Sequence, residues 1–424
     1  MISTASIADL LDGALKTSYY LPAVAVNQPG KNKNRMNRAD YLEGFAARLS
    51  RQIASGASTS LFNSRGELPR SGLPDCSSVA TPWANFNELA LELFELQFES
   101  NLAYRRFCEI RRCPPGEITM WHRIPAVPTT AFKEVELSCL PAQDRSTVFF
   151  SSGTTQMRPS RHFHSPTSLK VYEQSLTTWF KCQLGARIRP RRALALTPNA
   201  GQAPNSSLVH MFETLRRDLS FSRFDFAGAA DAEGAWMLNQ NRSVEFLREA
   251  VGLGEPCLIF GTAFSYVHLL DFLREQNQQL RMPAGSFALE TGGYKGRSRT
   301  LPKPELHSSI TQQLGIAADN IISEYGMSEL SSQAYDHVVE AGGARRFQFP
   351  PWARVQIISP ETGLEAAPGQ AGLIRVFDLA NVYSVVAIQT EDLGLSNERG
   401  FELLGRAPAS EPRGCSLMSN AAVS

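Results

Sequence analysis

The sequence predicts an α/β fold with layered, largely parallel sheets and helices. Three observations carry that prediction. After Pro125, short apolar runs recur, several of them separated by segments of helical period. One run leads directly into a Ser/Thr/Gly loop that a helix follows. No internal repeat stands out that would point to a solenoid or a propeller instead.

Taken in order, residues 1–81 mix short helical patterns with a polar run from Asn27 to Arg38 and a Ser/Gly/Pro-rich run from Ser55 to Ser78. They read as an N-terminal appendage, partly flexible. Residues 82–405 form the main domain. In it Phe86, Leu89, Leu93, Leu96, Leu102 and Phe107 recur at helical intervals through a stretch without Gly or Pro, which predicts a long amphipathic helix or a helix pair. Val148-Phe149-Phe150 reads as a strand. Ser165-Pro166 supplies an N-cap and a first-turn proline, and Leu169, Tyr172, Leu176 and Phe180 follow at steps of three and four. Further strand-like runs lie at Ala193 to Leu196, Leu258 to Phe260, Phe287 to Leu289, Ile321-Ile322, Val355 to Ile358, Leu373 to Val376 and Val385 to Ile388. Helical segments run from Tyr266 to Leu273 and from Glu305 to Leu314. Residues 406–424 form a short tail.

Composition narrows the function. Hydrophobic residues make up 43% and charged residues 20%, ordinary globular usage, and no run of about 18 apolar residues suggests stable membrane insertion. The 42 basic and 41 acidic residues nearly cancel, which argues against a nucleic-acid partner and for a small-molecule substrate. The first residues lack a leader pattern, so cytoplasmic residence is expected. The cysteines at 76, 108, 113, 139, 182, 257 and 415 form neither CxxC pairs nor metal-spaced clusters. Free thiols are expected, six of them structural and Cys415 not.

Three strings suggest chemistry. In Ser151-Ser152-Gly153-Thr154-Thr155 the glycine lets backbone N–H groups turn toward one point and hydroxyls flank it, an array that suits phosphate oxygens. Arg158, Arg161, His162 and His164 follow and could neutralise a polyphosphate. Alone, the string equally suits a Ser/Thr-rich surface turn, and no Gly-Lys-Ser/Thr makes it a Walker loop. The second string, Ser323 to Leu330, sets carboxylates after an apolar pair, and Glu329 is the candidate magnesium ligand. In it, an aromatic followed by glycine (Tyr325-Gly326) could stack on a ring while the backbone passes close by. In the third, Asp392 could accept two hydrogen bonds from a ribose diol and Arg406 could pair with a phosphate. Taken by itself, that string reads better as a hairpin turn, in which a Glu-Asp pair before glycine is common.

Together and in order, these strings resemble the signature motifs of the adenylate-forming superfamily. Within it the sequence is most similar to the LuxE-type acyl-protein synthetases, through FFSSGTT, IPAVPTTAFK, GTAFSYVHLL, ETGGYKG, EYGMSELSSQAYD and LGRAPASEPRGCSL. The likeness runs from about Phe86 to Met418. It implies ATP and Mg2+ as cofactors and a carboxylic acid, of the fatty-acid class, as substrate. By position it implies that Ser151, Ser152, Gly153, Thr154 and Thr155 hold the ATP phosphates, that Gly292, Gly293 and Tyr294 lie against the adenine, and that Tyr325 and Gly326 continue that pocket. Glu329 would bind magnesium, Asp392 the ribose hydroxyls, and Arg406 the ribose or phosphate. Phe264, Tyr266 and His268 would border the acyl chain.

Two departures from the superfamily pattern stand out. Gln156 and Arg158 or Arg161 replace the usual Gly and Lys after the phosphate loop. The sequence stops 18 residues after Arg406, so the small C-terminal domain with its lysine is expected to be lacking. The resemblance implies instead that Cys415 takes the acyl group as a thioester and passes it to a LuxC-type acyl-CoA reductase. A thiolate suits that attack, because adenosine monophosphate leaves readily and Arg413 would favour the ionised thiol. Rival readings are a phenylacetate-type ligase using CoA, a non-catalytic nucleotide- or acyl-binding subunit of a reductase complex, and delivery to a carrier-protein thiol.

Overall fold

The computed structural model describes residues 38–58, 83–151, 158–185, 192–231, 235–292, 301–338, 345–397 and 400–407. Cys415 and most of the Ser/Thr/Gly loop lie outside them. Among the described residues a 12-stranded sheet dominates. Five neighbouring strands are parallel: Arg223–Phe226, Arg192–Ala195, Cys257–Thr262, Phe287–Thr291 and Ile321–Tyr325. The last four are buried along their whole length, and their apolar stretches Ala193 to Ala195, Leu258 to Phe260, Phe287 to Leu289 and Ile321-Ile322 run without the polar alternation of a half-exposed strand.

Side chains alternate across this parallel region. Ala193, Ala195, Leu258, Phe260, Leu289 and Ile322 enter the larger core, while Leu194, Leu196, Ile259, Ala288 and Ile321 enter a second core on the opposite face. Helices Gln240–Leu253, Ala263–Glu275 and Lys303–Leu314 close the second core with Val244, Leu247, Leu269, Leu270, Leu273, Ile310 and Leu314. From Tyr325 the sheet continues antiparallel through Ala334–Val338, Arg345–Gln348, Gly400–Arg406, Ala387–Asn397, Ala371–Asp378 and Ala353–Ile358. The short strand Val127–Pro128 joins beside Ile388 and Gln389. The fold is thus α/β, its parallel strands interleaved with helices as expected.

The long apolar segment resolves into a pair, Phe86–Ser100 and Leu102–Ile110. Asn101 breaks it by taking an extended conformation and accepting from the Tyr104 N–H at 3.1 Å. Pro166–Phe180 begins at Ser165, whose side chain forms a reciprocal capping box with Ser168. One expectation changes. The helix Arg38–Ser58, within the segment read as an appendage, buries Leu42, Phe45, Ala46, Leu49 and Ile53 in the larger core and packs on Pro166–Phe180 and Phe86–Ser100. Its flanking polar and Ser/Gly/Pro-rich runs hid an apolar stripe at helical spacing. No described helix is long and apolar enough to cross a membrane.

Candidate active site

The site gathers where the parallel strands end. Tyr325 closes the buried strand Ile321–Tyr325, and its hydroxyl donates to Asp392 Oδ2 at 2.9 Å. Its ring is held by Phe347 and Phe401, with centroids 5.9 and 5.5 Å away. Asp392 pairs in register with Arg406 on the neighbouring antiparallel strand, which sets Arg406 Nε 4.0 Å from Asp392 Oδ1. Just past that pair the Ala407 N–H donates to Glu391 O at 2.9 Å. Burial holds the Asp392 carboxyl above its ordinary range, against the lowering effect of the Tyr325 hydroxyl and Arg406. The Arg406 side chain is 78% exposed and free to meet an anion from outside. Three residues distant in sequence, Tyr325, Asp392 and Arg406, therefore meet. Gly326 follows Tyr325 with a requirement of its own, since a Cβ there would collide with Glu324 Oε1.

Glu329 lies in the turn that follows. Its buried carboxylate accepts from Ser328 Oγ at 2.9 Å. The backbone of this turn is tied down from several directions. The Ser331 N–H and Ser332 Oγ donate to the two oxygens of Asp378 at 2.9 and 2.7 Å, and Asn381 Nδ2 donates to Glu329 O at 2.9 Å. Burial pushes the Asp378 carboxyl up to about 6, and the donors around it work in the opposite direction. Neither Asp378 nor Asn381 stood out in the sequence, because their partners lie some 50 residues away and no local spacing links them.

The hairpin of Thr147–Phe150 and Arg161–His164 carries the Ser/Thr/Gly loop at its tip. Ser151 closes the base of that loop: its N–H donates to Ser160 O at 3.2 Å, and its Oγ accepts from the Ser160 N–H at 2.9 Å. Ser152, Gly153, Thr154 and Thr155 lie outside the described residues. His162 ties the hairpin to the Glu329 turn through a 2.7 Å hydrogen bond from Nδ1 to Ser328 O, so the described strands of the hairpin and the turn are neighbours. Here the sequence reading is corrected. His162 and His164 are not cations for a polyphosphate: burial pushes His162 down to about 4 and holds His164 well below its ordinary value, so both are neutral at pH 7. Arg161 turns to Glu136 at 3.3 Å, while Arg158 is exposed.

Gly292 follows Thr291, whose parallel partner is Glu324, and this brings its exposed backbone beside Tyr325. Gly293 and Tyr294 lie outside the described residues. Of the three acyl-pocket candidates on Ala263–Glu275, Phe264 and His268 share a helix face, with ring centroids 4.4 Å apart and some exposed surface. Tyr266 faces the sheet, fully buried in the second core, with its hydroxyl donating to Ile259 O at 2.7 Å. No disulfide joins the described cysteines Cys108, Cys113, Cys139, Cys182 and Cys257, and burial pushes the Cys108 and Cys257 thiols up to about 12.

The arrangement offers the Asp392 carboxylate as an acceptor, the exposed Arg406 cation and the buried Glu329 carboxylate, at the strand ends where α/β folds take their ligands. The profile of one family, described as acyl-protein synthetase, LuxE, matches residues 82–424. The long-chain-fatty-acid–luciferin-component ligase of Aliivibrio fischeri is 20% identical over 327 residues, spanning 74% of this chain and 79% of that one. Among solved structures, an open conformation of 2-hydroxyisobutyryl-CoA ligase with 2-HIB-AMP and CoA matches at TM-score 0.58 and 15% identity, covering 81% of this chain and 76% of that one. The same ligase in its thioesterification state matches at TM-score 0.57 and 17% identity, over 81% and 73%. At such identities the structural likeness is one of fold.

Proposed function

The chain belongs to the LuxE family of acyl-protein synthetases, adenylate-forming ligases, and from that premise we propose the course of its reaction. A fatty-acid carboxylate attacks the α-phosphorus of ATP, forming acyl-adenylate and releasing pyrophosphate. The Cys415 thiolate then attacks the acyl carbon, so a thioester forms and adenosine monophosphate leaves with the bonding pair. A reductase of the LuxC type consumes the thioester.

The observation that carries this reading is the Tyr325–Asp392–Arg406 group beside the Glu329 turn. Asp392 would accept from ribose hydroxyls with Tyr325 fixing its orientation, and Arg406 would meet the phosphate. Ser151 to Thr155 would take the β- and γ-phosphates, Gly292 to Tyr294 and Gly326 the adenine, and Phe264 and His268 the acyl chain. Glu329 fits a magnesium site of the kind that uses one protein carboxylate, with nucleotide phosphates and water filling the remaining positions. When bound, magnesium disperses the charge that builds on the phosphates. Support for Cys415 as acceptor comes from the described thiols too, since burial holds Cys108, Cys139 and Cys257 protonated.

The test is ATP–pyrophosphate exchange with a panel of acids, together with hydroxylamine-labile acyl label on the polypeptide. Asp392→Ala is expected to lower exchange at least about tenfold, the loss of a charge-assisted hydrogen bond. No exchange with any acid would sink the proposal. Label that persists in Cys415→Ser would move the acceptor elsewhere, and label that appears only on added CoA or a carrier protein would favour the rival acceptors.

A further inference from the structure

On the far side of Gly326 from Tyr325 lies a polar group that the reaction above does not use. Glu324 is buried, and its Oε1 crowds the open face of Gly326, where Gln333 Cγ also lies within 3.4 Å of the position a Cβ would take. Tyr335, fully buried, is the antiparallel partner of Glu324, so the two side chains share a face. Two atoms of this group have no hydrogen-bond partner: Tyr335 Oη and Gln333 Oε1. Both residues are more than nine-tenths buried. Leaving such atoms unpaired is costly, and native structures rarely do so without an occupant in view.

The chemistry of the group is neutral. Burial, reinforced by the nearby Glu290 charge, pushes Glu324 up to about 8, so at pH 7 it is an un-ionised acid with one donor and one acceptor. Lys303 and Arg345, which approach the same part of the sheet, are both engaged by Asp336. A second carboxylate on the ligand would thus find no free cation among these residues, and a bare alkyl chain would leave the phenol and the amide carbonyl unpaired. A hydroxyl both donates and accepts, which matches an orphaned phenol oxygen, an orphaned amide oxygen and a protonated carboxyl.

Resting on the adenylation reading and deepening it, we propose that Glu324, Gln333 and Tyr335 form a polar subsite that selects an acid bearing a hydroxyl close to its carboxyl. Glu324 and Tyr325 point to opposite faces of their strand, so the group lies across Gly326 from the Tyr325–Asp392–Arg406 set; with adenosine on that set, as proposed above, the acyl portion next to the reacting carboxyl would lie on the Glu324 side.

Full-length protein assayed by ATP–pyrophosphate exchange with chain-matched acids decides the matter. The set is unsubstituted, 2-hydroxy, 3-hydroxy and 3-amino. A hydroxy acid is expected to exceed its unsubstituted counterpart by at least tenfold in kcat/KM, since a site built to bind a hydroxyl discriminates strongly against its absence. Gln333→Leu and Tyr335→Phe are each expected to bring that ratio toward one. Equal or faster exchange with the unsubstituted acid overturns the subsite, as does preference for the amino acid or a hydroxy preference that both variants retain. The acid panel needs only the unaltered protein, so the outcome does not depend on the variants folding. Exchange with no acid at all removes the adenylation reading itself, a result distinct from exchange that favours the unsubstituted acid.

Discussion

The parallel region and the corner that carries the candidate site are adjacent parts of one sheet built on different principles. In the parallel region, Leu194, Ile259, Leu269, Leu270 and Ile321 meet in a core whose strands need only apolar area and alternation. In the corner, buried His162, Asp378, Asn381 and Ser332 hold the Glu329 turn by directed contacts. Area tolerates small displacements, whereas hydrogen bonds to a buried carboxylate do not. The difference teaches where rigidity lies: the core makes the chain fold, and the polar corner sets the angles at which it meets a ligand.

Asp378→Ala should break this comparison most forcefully. It leaves the Ser331 and Ala380 N–H groups and Ser332 Oγ without an acceptor inside the protein. A loss of about 4 kcal/mol is expected in chemical denaturation, with pyrophosphate exchange falling further than the folded fraction. Exchange that simply tracks folding would deny Asp378 its part in setting the turn. Next in size, Leu270→Ala in the second core should cost about 3 kcal/mol and leave the KM for ATP unchanged below the melting transition. A raised KM would mean that the two regions are mechanically coupled.

The smallest effect concerns pH. Glu324 has a folded pKa of about 8 against an ordinary 4.5, so the folded chain keeps a proton that the unfolded chain releases. Stability from this group is complete below pH 4.5 and declines as pH rises toward 8. The groups facing it are Glu290, Tyr172 and Tyr335. Relative to wild type, Glu324→Gln should therefore gain stability between pH 5 and pH 7, by up to about 1.4 kcal/mol per pH unit. A difference flat with pH, followed by urea denaturation, would place Glu324 in contact with water or an ion partner.

The same contrast explains what could be read in advance. Apolar runs such as Leu258 to Phe260 and Ile321-Ile322 announce buried parallel strands because burial on both faces demands unbroken hydrophobicity. Ser165-Pro166 marks a helix start because capping is local. His162 looked like a cation because its charge state depends on burial, which no neighbouring residue reveals. Asp378 and Asn381 were silent for a related reason: an aspartate becomes a turn anchor only when residues near 330 fold against it. Asp392 and Arg406 were each recognisable, yet only strand pairing makes them neighbours. The stripe Leu42, Phe45, Leu49 and Ile53 was present in the text but masked by the composition around it.

The pairing of Asp392 with Arg406 also measures a leash. Ala407 is fastened to Glu391, so the remainder of the chain departs from beside the Asp392–Arg406 pair itself. Cys415 stands eight residues beyond that anchor, which limits its sulfur to a radius of roughly 27 Å however the intervening chain runs. Confinement to so small a volume gives a tethered thiol an effective concentration on the order of millimolar. Under the proposed transfer to Cys415, a free thiol in solution would have to reach that level to compete for the adenylate. Lengthening the leash by inserted glycines and serines would lower that advantage gradually, leaving every contact in the cleft as it is.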